Sequence, residues 1–310
     1  MNRWRKMGKW FTVAGLLVTM ALTLGLTGCQ KSAKQYSGKI TIGSETVNES
    51  AILANIAKVL IEANTNIKVE VVSGFNDSEA LLHKALLANQ IQIHPSWTGT
   101  QLTGILEYNG PKMSREQTWE YVKNEYEKRF NLTWTKPFGF NDTYVLFVKQ
   151  DTATKYNLKK QSDLASMAKD WVVACDNSWG ERELDGYPGW KKAYGITFKK
   201  VAPMDYSLIY KAVDSGEAQI GVGYATDSRM KKMNFVPLED DKGFAYPYDG
   251  AYVVRQDLLK QYPKLQGILE EVAGKIDDMT MSDLNAQFDI DQKDPEVIAK
   301  DFLKKIGLIK

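Results

Sequence analysis

From residue 39 onward the chain alternates between two spacings of hydrophobic positions. "KITIG" (39–43) and "IKVEVV" (67–72) are short β-branched runs with apolar residues at alternate positions, the period of a half-buried strand. Between them Ile52, Leu53, Ile56, Val59 and Leu60 recur three and four apart, which predicts a helix. Thr46 with Glu49 three residues on fits a capping box opening that helix. A second helix is expected from about Ser78 to Asn89, followed by the strand "IQIHP". Strand-helix-strand-helix-strand predicts an α/β domain with a largely parallel sheet.

Ser114 and Gln117 predict the start of another helix, with Trp119, Val122 and Tyr126 along one face. "LTWTKPFGFNDTYVLFV" then reads as extended chain broken by Pro137 and Gly139. A second set follows: the strand "WVVAC", helices around Trp190–Tyr194 and Tyr206–Ser215, and the strand "AQIGVGY". From Phe235 the chain is extended again, and the remainder is mainly helical, with Asp294-Pro295 capping the last helix. Two connecting passages, near residues 140 and 235, imply two lobes around a hinged cleft. The expected division is residues 39–139 with 236–310 as lobe I, and 140–235 as lobe II.

The first residues change this picture only at the edge. Arg3, Arg5, Lys6 and Lys9 precede an apolar run from about Trp10 to Leu26, then Leu26-Thr27-Gly28-Cys29. That is the layout of an export signal over residues 1–28, although the run is also barely long enough for a retained transmembrane helix. Leu-Thr-Gly-Cys resembles the lipobox of bacterial lipoproteins. The resemblance implies a lipid on Cys29 and anchorage at the outer face of the cytoplasmic membrane, with residues 29–38 as a polar tether. Without residues 1–28 the chain keeps 36 basic against 38 acidic side chains, so no basic surface argues for nucleic acid. Cys175, the other cysteine, then has no disulfide partner and reads as a buried thiol.

Catalytic signatures are missing: there is no G-x-S-x-G, no P-loop and no H-E-x-x-H. Of two histidines, His83 on "EALLHKALLAN" is expected at the surface or its boundary, while His94, beside Trp97, is placed to line a cleft. Neither has a second ligand nearby in sequence, so no metal and no cofactor are expected.

Seven ordered segments carry a family resemblance: "IGSETVNESAILANI", "IHPSWTGTQL", "GFNDTYVLFV", "DGYPGWKKAYG", "MDYSLIYKAVDSGEAQIGVGYATD", "PLEDDKGFAYPYDGAYVVR" and "DIDQKDPEVIAKDFLKKIGL". In them the chain resembles the substrate-binding lipoproteins of bacterial osmoprotectant ABC importers, which take glycine betaine, carnitine or choline. The resemblance implies a two-lobed α/β fold of the periplasmic-binding-protein type, type II-like. It also implies a monomer without enzymatic activity, whose partners are a quaternary ammonium ligand, an ABC permease and its ATPase subunits.

A quaternary ammonium group has full charge but no N–H donor, so aromatic faces are what can hold it. Carried over from the family by position, the cage is Trp97, Tyr144, Tyr224 and Tyr248, with Trp97 standing where tyrosine is usual. Thr100 matches a threonine that helps hold the ligand carboxylate, and Gly99 beside it permits close backbone approach. Arg182 resembles a family arginine, one residue out of step with Asp185. Glu45 departs from the family's lysine or glutamine, and Asp142 from its asparagine. Glu45 either points away from the site or favours a cation lacking a carboxylate, and Asp142 is either a solvated loop residue or does the same. The alternatives are a receptor for another amine or amino acid with Glu45 pairing a primary ammonium, a surface enzyme using carboxylates, and a structural lipoprotein.

Overall fold

The computed structural model describes residues 37–46, 48–75 and 78–310. The export signal, Cys29 and most of the tether lie outside the described residues.

The first unit runs β1 (Ser37–Gly43), α1 (Asn48–Asn64), β2 (Asn66–Val72), α2 (Glu79–Leu87), β3 (Ile93–Trp97), α3 (Thr98–Gly104), α4 (Arg115–Phe130) and β4 (Leu132–Trp134). The second runs β5 (Tyr144–Lys149), α5 (Gln150–Tyr156), β6 (Val172–Cys175), α6 (Asn177–Glu181), α7 (Tyr187–Tyr194), β7 (Lys200–Pro203), α8 (Tyr206–Ser215), β8 (Ile220–Tyr224), α9 (Ser228–Lys232) and β9 (Phe235–Leu238). The chain then returns through β10 (Gly250–Arg255), α10 (Gln256–Gln261), α11 (Leu265–Leu269), α12 (Asp278–Asp289) and α13 (Pro295–Lys305).

Two five-stranded sheets result, ordered β2-β1-β3-β10-β4 and β7-β6-β8-β5-β9. In each, parallel strands form one side: β1 pairs with β2 and β3, and β6 with β7 and β8. In each, the strand that follows a passage from the other sheet enters antiparallel, β10 beside β3 and β5 beside β8. This topology brings both passages to the carboxyl ends of β3 and β8, where α/β sheets collect ligands. The return passage starts later than the sequence suggests, because residues 236–238 pair with β5 in the second sheet.

Local signals explain the main elements. The apolar stripe of α1 is fully buried at Ile52, Leu53, Ile56 and Leu60, and the helix packs on β2, α12 and α13. Each such side chain contributes roughly 1.5–3 kcal/mol of transfer free energy. Ser114 and Gln117 form the expected capping box on α4, and Asp294 accepts from Glu296 N and Val297 N ahead of Pro295. Glu49, in the first turn of α1 as described, directs its carboxyl to Thr226, beyond β8.

Candidate functional site

Tyr144 and Tyr224 meet because strand register places them directly opposite each other, at the start of β5 and the end of β8. Their ring centroids are 5.1 Å apart at 30°. Tyr248, on the return passage, sets its ring edge-on to Tyr144 at 5.9 Å and 77°. Tyr206, at the first position of α8, lies 5.1 Å from Tyr224 and is itself covered by the Arg229 guanidinium at 4.6 Å. Three of the four expected aromatics therefore share one cluster. Tyr206 lies inside a segment carrying the resemblance, but only the fold brings α8 against β8.

The phenol hydroxyls are tied to carboxylates. Tyr224 donates to Asp176 Oδ2 at 3.2 Å, while the other oxygen of Asp176 accepts from Trp179 N at 2.7 Å and caps α6. Tyr248 donates to Asp185, which is 2 % exposed. Burial above all pushes both phenols well up, with Tyr144 and then Asp176 adding to it at Tyr224 and Asp185 at Tyr248, so they stay protonated donors. A phenol donating to a carboxylate gains electron density, which makes its face more attractive to a cation.

Arg182 does face this cluster. It forms a two-pronged pair with Asp185, Nε to Oδ1 and Nη2 to Oδ2, both 2.7 Å, which the one-residue offset does not prevent. Nη2 also reaches Tyr248 Oη at 3.2 Å and Thr103 Oγ1, on α3 of the other sheet's unit, at 2.5 Å. Its charge is thus largely answered within the protein, and it clamps the two halves together.

Trp97 ends β3 opposite Gly250 and is 8 % exposed. No ring pair joins it to the three tyrosines, and its indole nitrogen is buried with no partner among the described residues. Thr100 is half-buried on α3. Gly99 matters for a different approach than expected: a Cβ there would lie 2.8 Å from both the Tyr248 ring and the Pro247 carbonyl. Small size at 99 lets α3 seat against Tyr248.

The acidic candidates separate. Glu45 is half-buried in the loop after β1, where its N–H donates to Ser50 Oγ at 2.9 Å. With burial as the main cause, its carboxylate helps raise that of Glu79, which accepts from Ser96 and Gln101. Asp142 is half-buried in the loop before β5, with Thr226 Oγ1 2.8 Å from it, and burial pushes its pKa up to about 7.

Both histidines belong to the core. His83 is 5 % exposed, its ring edge-on to Phe130 at 4.6 Å and Tyr126 at 5.5 Å, not at the boundary. His94 is 1 % exposed with Nδ1 at 2.8 Å from the Pro95 carbonyl, and burial lowers its pKa to about 4, so it does not line the cleft. Cys175 is buried, and burial lifts its thiol to about 12. Among the described residues no group of three or more His, Cys, Asp or Glu is arranged to hold a metal, and no helix is long and apolar enough to cross a membrane. A cavity of about 490 Å³ is lined by both passages, including Thr143, Tyr144, Tyr246 and Pro247. Of the tyrosine cluster only Tyr144 lines it; Trp97, Tyr224 and Tyr248 do not, so the cavity adjoins the cluster at one edge.

Comparison with known proteins bears on this arrangement. Residues 38–305 match the family model of the substrate binding domain of ABC-type glycine betaine transport systems. The chain is 38% identical over 302 residues to the carnitine transport binding protein OpuCC of Listeria monocytogenes, covering 96% of this chain and 97% of that one. It is 33% identical over 269 residues to the ergothioneine transport permease/ergothioneine binding protein EgtU of Helicobacter pylori, covering 87% of this chain but 48% of that longer protein. Among solved structures, one described as a glycine betaine/carnitine/choline ABC transporter superposes with a TM-score of 0.79 at 33% identity, covering 89% of this chain and all of the other.

Proposed function

The chain belongs to the family of substrate-binding domains of ABC-type glycine betaine transport systems, and we propose that its ligand is a quaternary ammonium compound held against Tyr144, Tyr224, Tyr248 and Trp97. The family is one of transport binding proteins, not of enzymes. The observation that carries the ligand class is the cluster of three tyrosines whose outer two hydroxyls end on Asp176 and Asp185. Rings so anchored offer electron-rich faces and no free directional acceptor, which suits a methylated cation better than a primary ammonium.

Each cation–π contact contributes roughly 0.5–2 kcal/mol, so three or four approach the roughly 8 kcal/mol of a micromolar site before ordering costs are subtracted. Trp97 comes from the first sheet and Tyr224 from the second, so the cage is complete only when the halves approach. Ligand therefore favours closure, the form a permease recognises. With its charge answered by Asp185, Arg182 is less able to take a ligand carboxylate, which favours a cation without one, such as choline. We place the lobes at 39–139 with 239–310, and at 140–238, and the protein on the outer side of the cytoplasmic membrane, tethered through a lipid on Cys29.

Calorimetric titration with choline, glycine betaine, carnitine and ergothioneine tests the reading. Tight choline binding that is lost in Tyr144→Ala supports the cage. Tight betaine binding with weak choline overturns the role given to the Arg182–Asp185 pair. Preference for an unmethylated amine supports the alternative in which Glu45 pairs a primary ammonium, and heat with none of the four sinks the quaternary ammonium reading.

A further inference from the structure

Beside the tyrosine cluster, three side chains from three parts of the fold meet in one polar bridge. Glu49 comes from α1 and is 5 % exposed; Thr226 follows β8 and is 2 % exposed; Asp142 lies on the first passage between the sheets. Thr226 Oγ1 is 2.6 Å from Glu49 Oε1 and 2.8 Å from Asp142 Oδ1. A hydroxyl has one hydrogen, so it donates to only one of the two carboxyls. The other contact needs a hydrogen supplied by the acid itself. Asn285 of α12 adds donors to Glu49 Oε1 at 3.4 Å and to the Thr226 carbonyl at 3.2 Å, but no charge.

Among the described side chains no cation is bonded to either acid: Arg229 of α9 is bound to Asp227 through Nε and Nη2. The remaining titratable neighbours are acidic or phenolic: Asp227 itself, Asp289 held by Asn48, Asp278 accepting from Asn141 N, and Tyr224. Two like charges packed together under these conditions do not both ionise.

We propose that closing the lobes captures one proton in the Glu49–Thr226–Asp142 bridge, so that ligand is held more tightly in mildly acidic than in alkaline surroundings. The proposal rests on the reading above that ligand closes the lobes. Glu49 and Thr226 sit on opposite sides of the cleft, so separating the lobes returns Glu49 toward water and the ordinary carboxylate range.

The sign follows from the direction of the shifts. Burial, then the facing Asp142 carboxylate, holds Glu49 well above its usual value, and burial holds Asp142 near about 7. A carboxyl pKa raised on closure means that the closed form takes up a proton between the open-form and closed-form values, and affinity falls as pH rises through that window. With an open-form value of about 4, affinity at about pH 8 is expected to be roughly tenfold below that at about pH 6.

The test has two independent arms. Choline titrations of the protein in buffers of differing ionisation enthalpy, at about pH 6, are expected to report close to one proton taken up per ligand, falling toward zero near about pH 9. The Glu49→Gln/Asp142→Asn double variant is expected to show neither the uptake nor the roughly tenfold pH dependence. Infrared spectra of the protein closed by ligand are expected to contain a protonated-carboxyl C=O band at about pH 7 that is missing from the double variant. Binding with buffer-independent heat and pH-independent affinity overturns the proposal, whatever the ligand. Heat with no ligand tested means instead that the ligand reading has failed; the spectrum of the ligand-free protein then decides the proton by itself, and absence of the band overturns the bridge.

Discussion

Trp97 and Tyr248 are both more than nine-tenths buried, at 8 % and 6 % exposed, yet their polar atoms are treated differently. The Tyr248 hydroxyl ends on Asp185, whereas the Trp97 N–H is buried without a partner among the described residues. What Trp97 offers is therefore its face. Trp97→Tyr, which keeps an aromatic face, is expected to keep choline affinity within a few-fold, while Trp97→Ala weakens it by roughly 2- to 30-fold. Titration calorimetry distinguishes the two, and equal losses would deny the ring a direct role. His94 supports a prediction of stability. Its pKa is lowered to about 4 by burial, so the unfolded chain binds its proton first and stability falls as pH drops from about 6.5 toward about 4. Urea unfolding is expected to show wild type losing roughly 1.5 kcal/mol more than His94→Asn between about pH 6.5 and about pH 5. An unchanged difference would mean that the ring is protonated in the fold.

Among the elements, α4 and α3 show how local signals and packing divide the work. The Ser114 hydroxyl accepts from Gln117 N at 3.2 Å and Gln117 Oε1 accepts from Ser114 N at 3.0 Å. Ser114→Ala is expected to cost about 1 kcal/mol in unfolding free energy and nothing in ligand affinity. α3 follows different logic. It has seven residues and no side-chain cap, and it is held by Gln101, which bonds Ser96, Glu79 and Tyr126. A methyl at Gly99 meets the Pro247 carbonyl, which cannot turn aside, and the Tyr248 ring, which can. Gly99→Ala is therefore expected to cost about 1–3 kcal/mol through displacement of Tyr248, appearing as weaker choline binding more than as a lower melting temperature. The reverse balance would place Gly99 in the fold rather than the site.

For the whole molecule, the polar contacts between the two units include Arg182 to Thr103, Thr226 to Glu49 and Asn285 to the Thr226 carbonyl, beside the Tyr144–Tyr248 ring contact. Polar contacts at such a junction exchange for water when it opens, which suits a hinge. X-ray scattering is expected to show a smaller radius of gyration with choline than without; an unchanged radius would argue against closure by ligand. Local pattern was enough to read α1, α4 and α13, because an apolar stripe with a cap is a property of neighbouring residues. It could not show that the Glu49 carboxyl, in the first turn of α1, reaches Thr226 beyond β8. It also missed the burial of His83, which depends on Phe130 and Tyr126 folding over it from α4.

By itself, then, the sequence determined the alternation of strands and helices, the two passages, the absence of a catalytic or metal motif, and, through its ordered segments, the family. These are written in short-range periodicity and in residue types that survive without coordinates. Tertiary structure alone decided that Tyr206 backs the cluster, that Arg182 spends its charge on Asp185, and that Glu49 and Asp142 share one hydroxyl. Those relations join residues far apart in the chain, and they depend on distances of a few ångströms between elements, which no local pattern specifies.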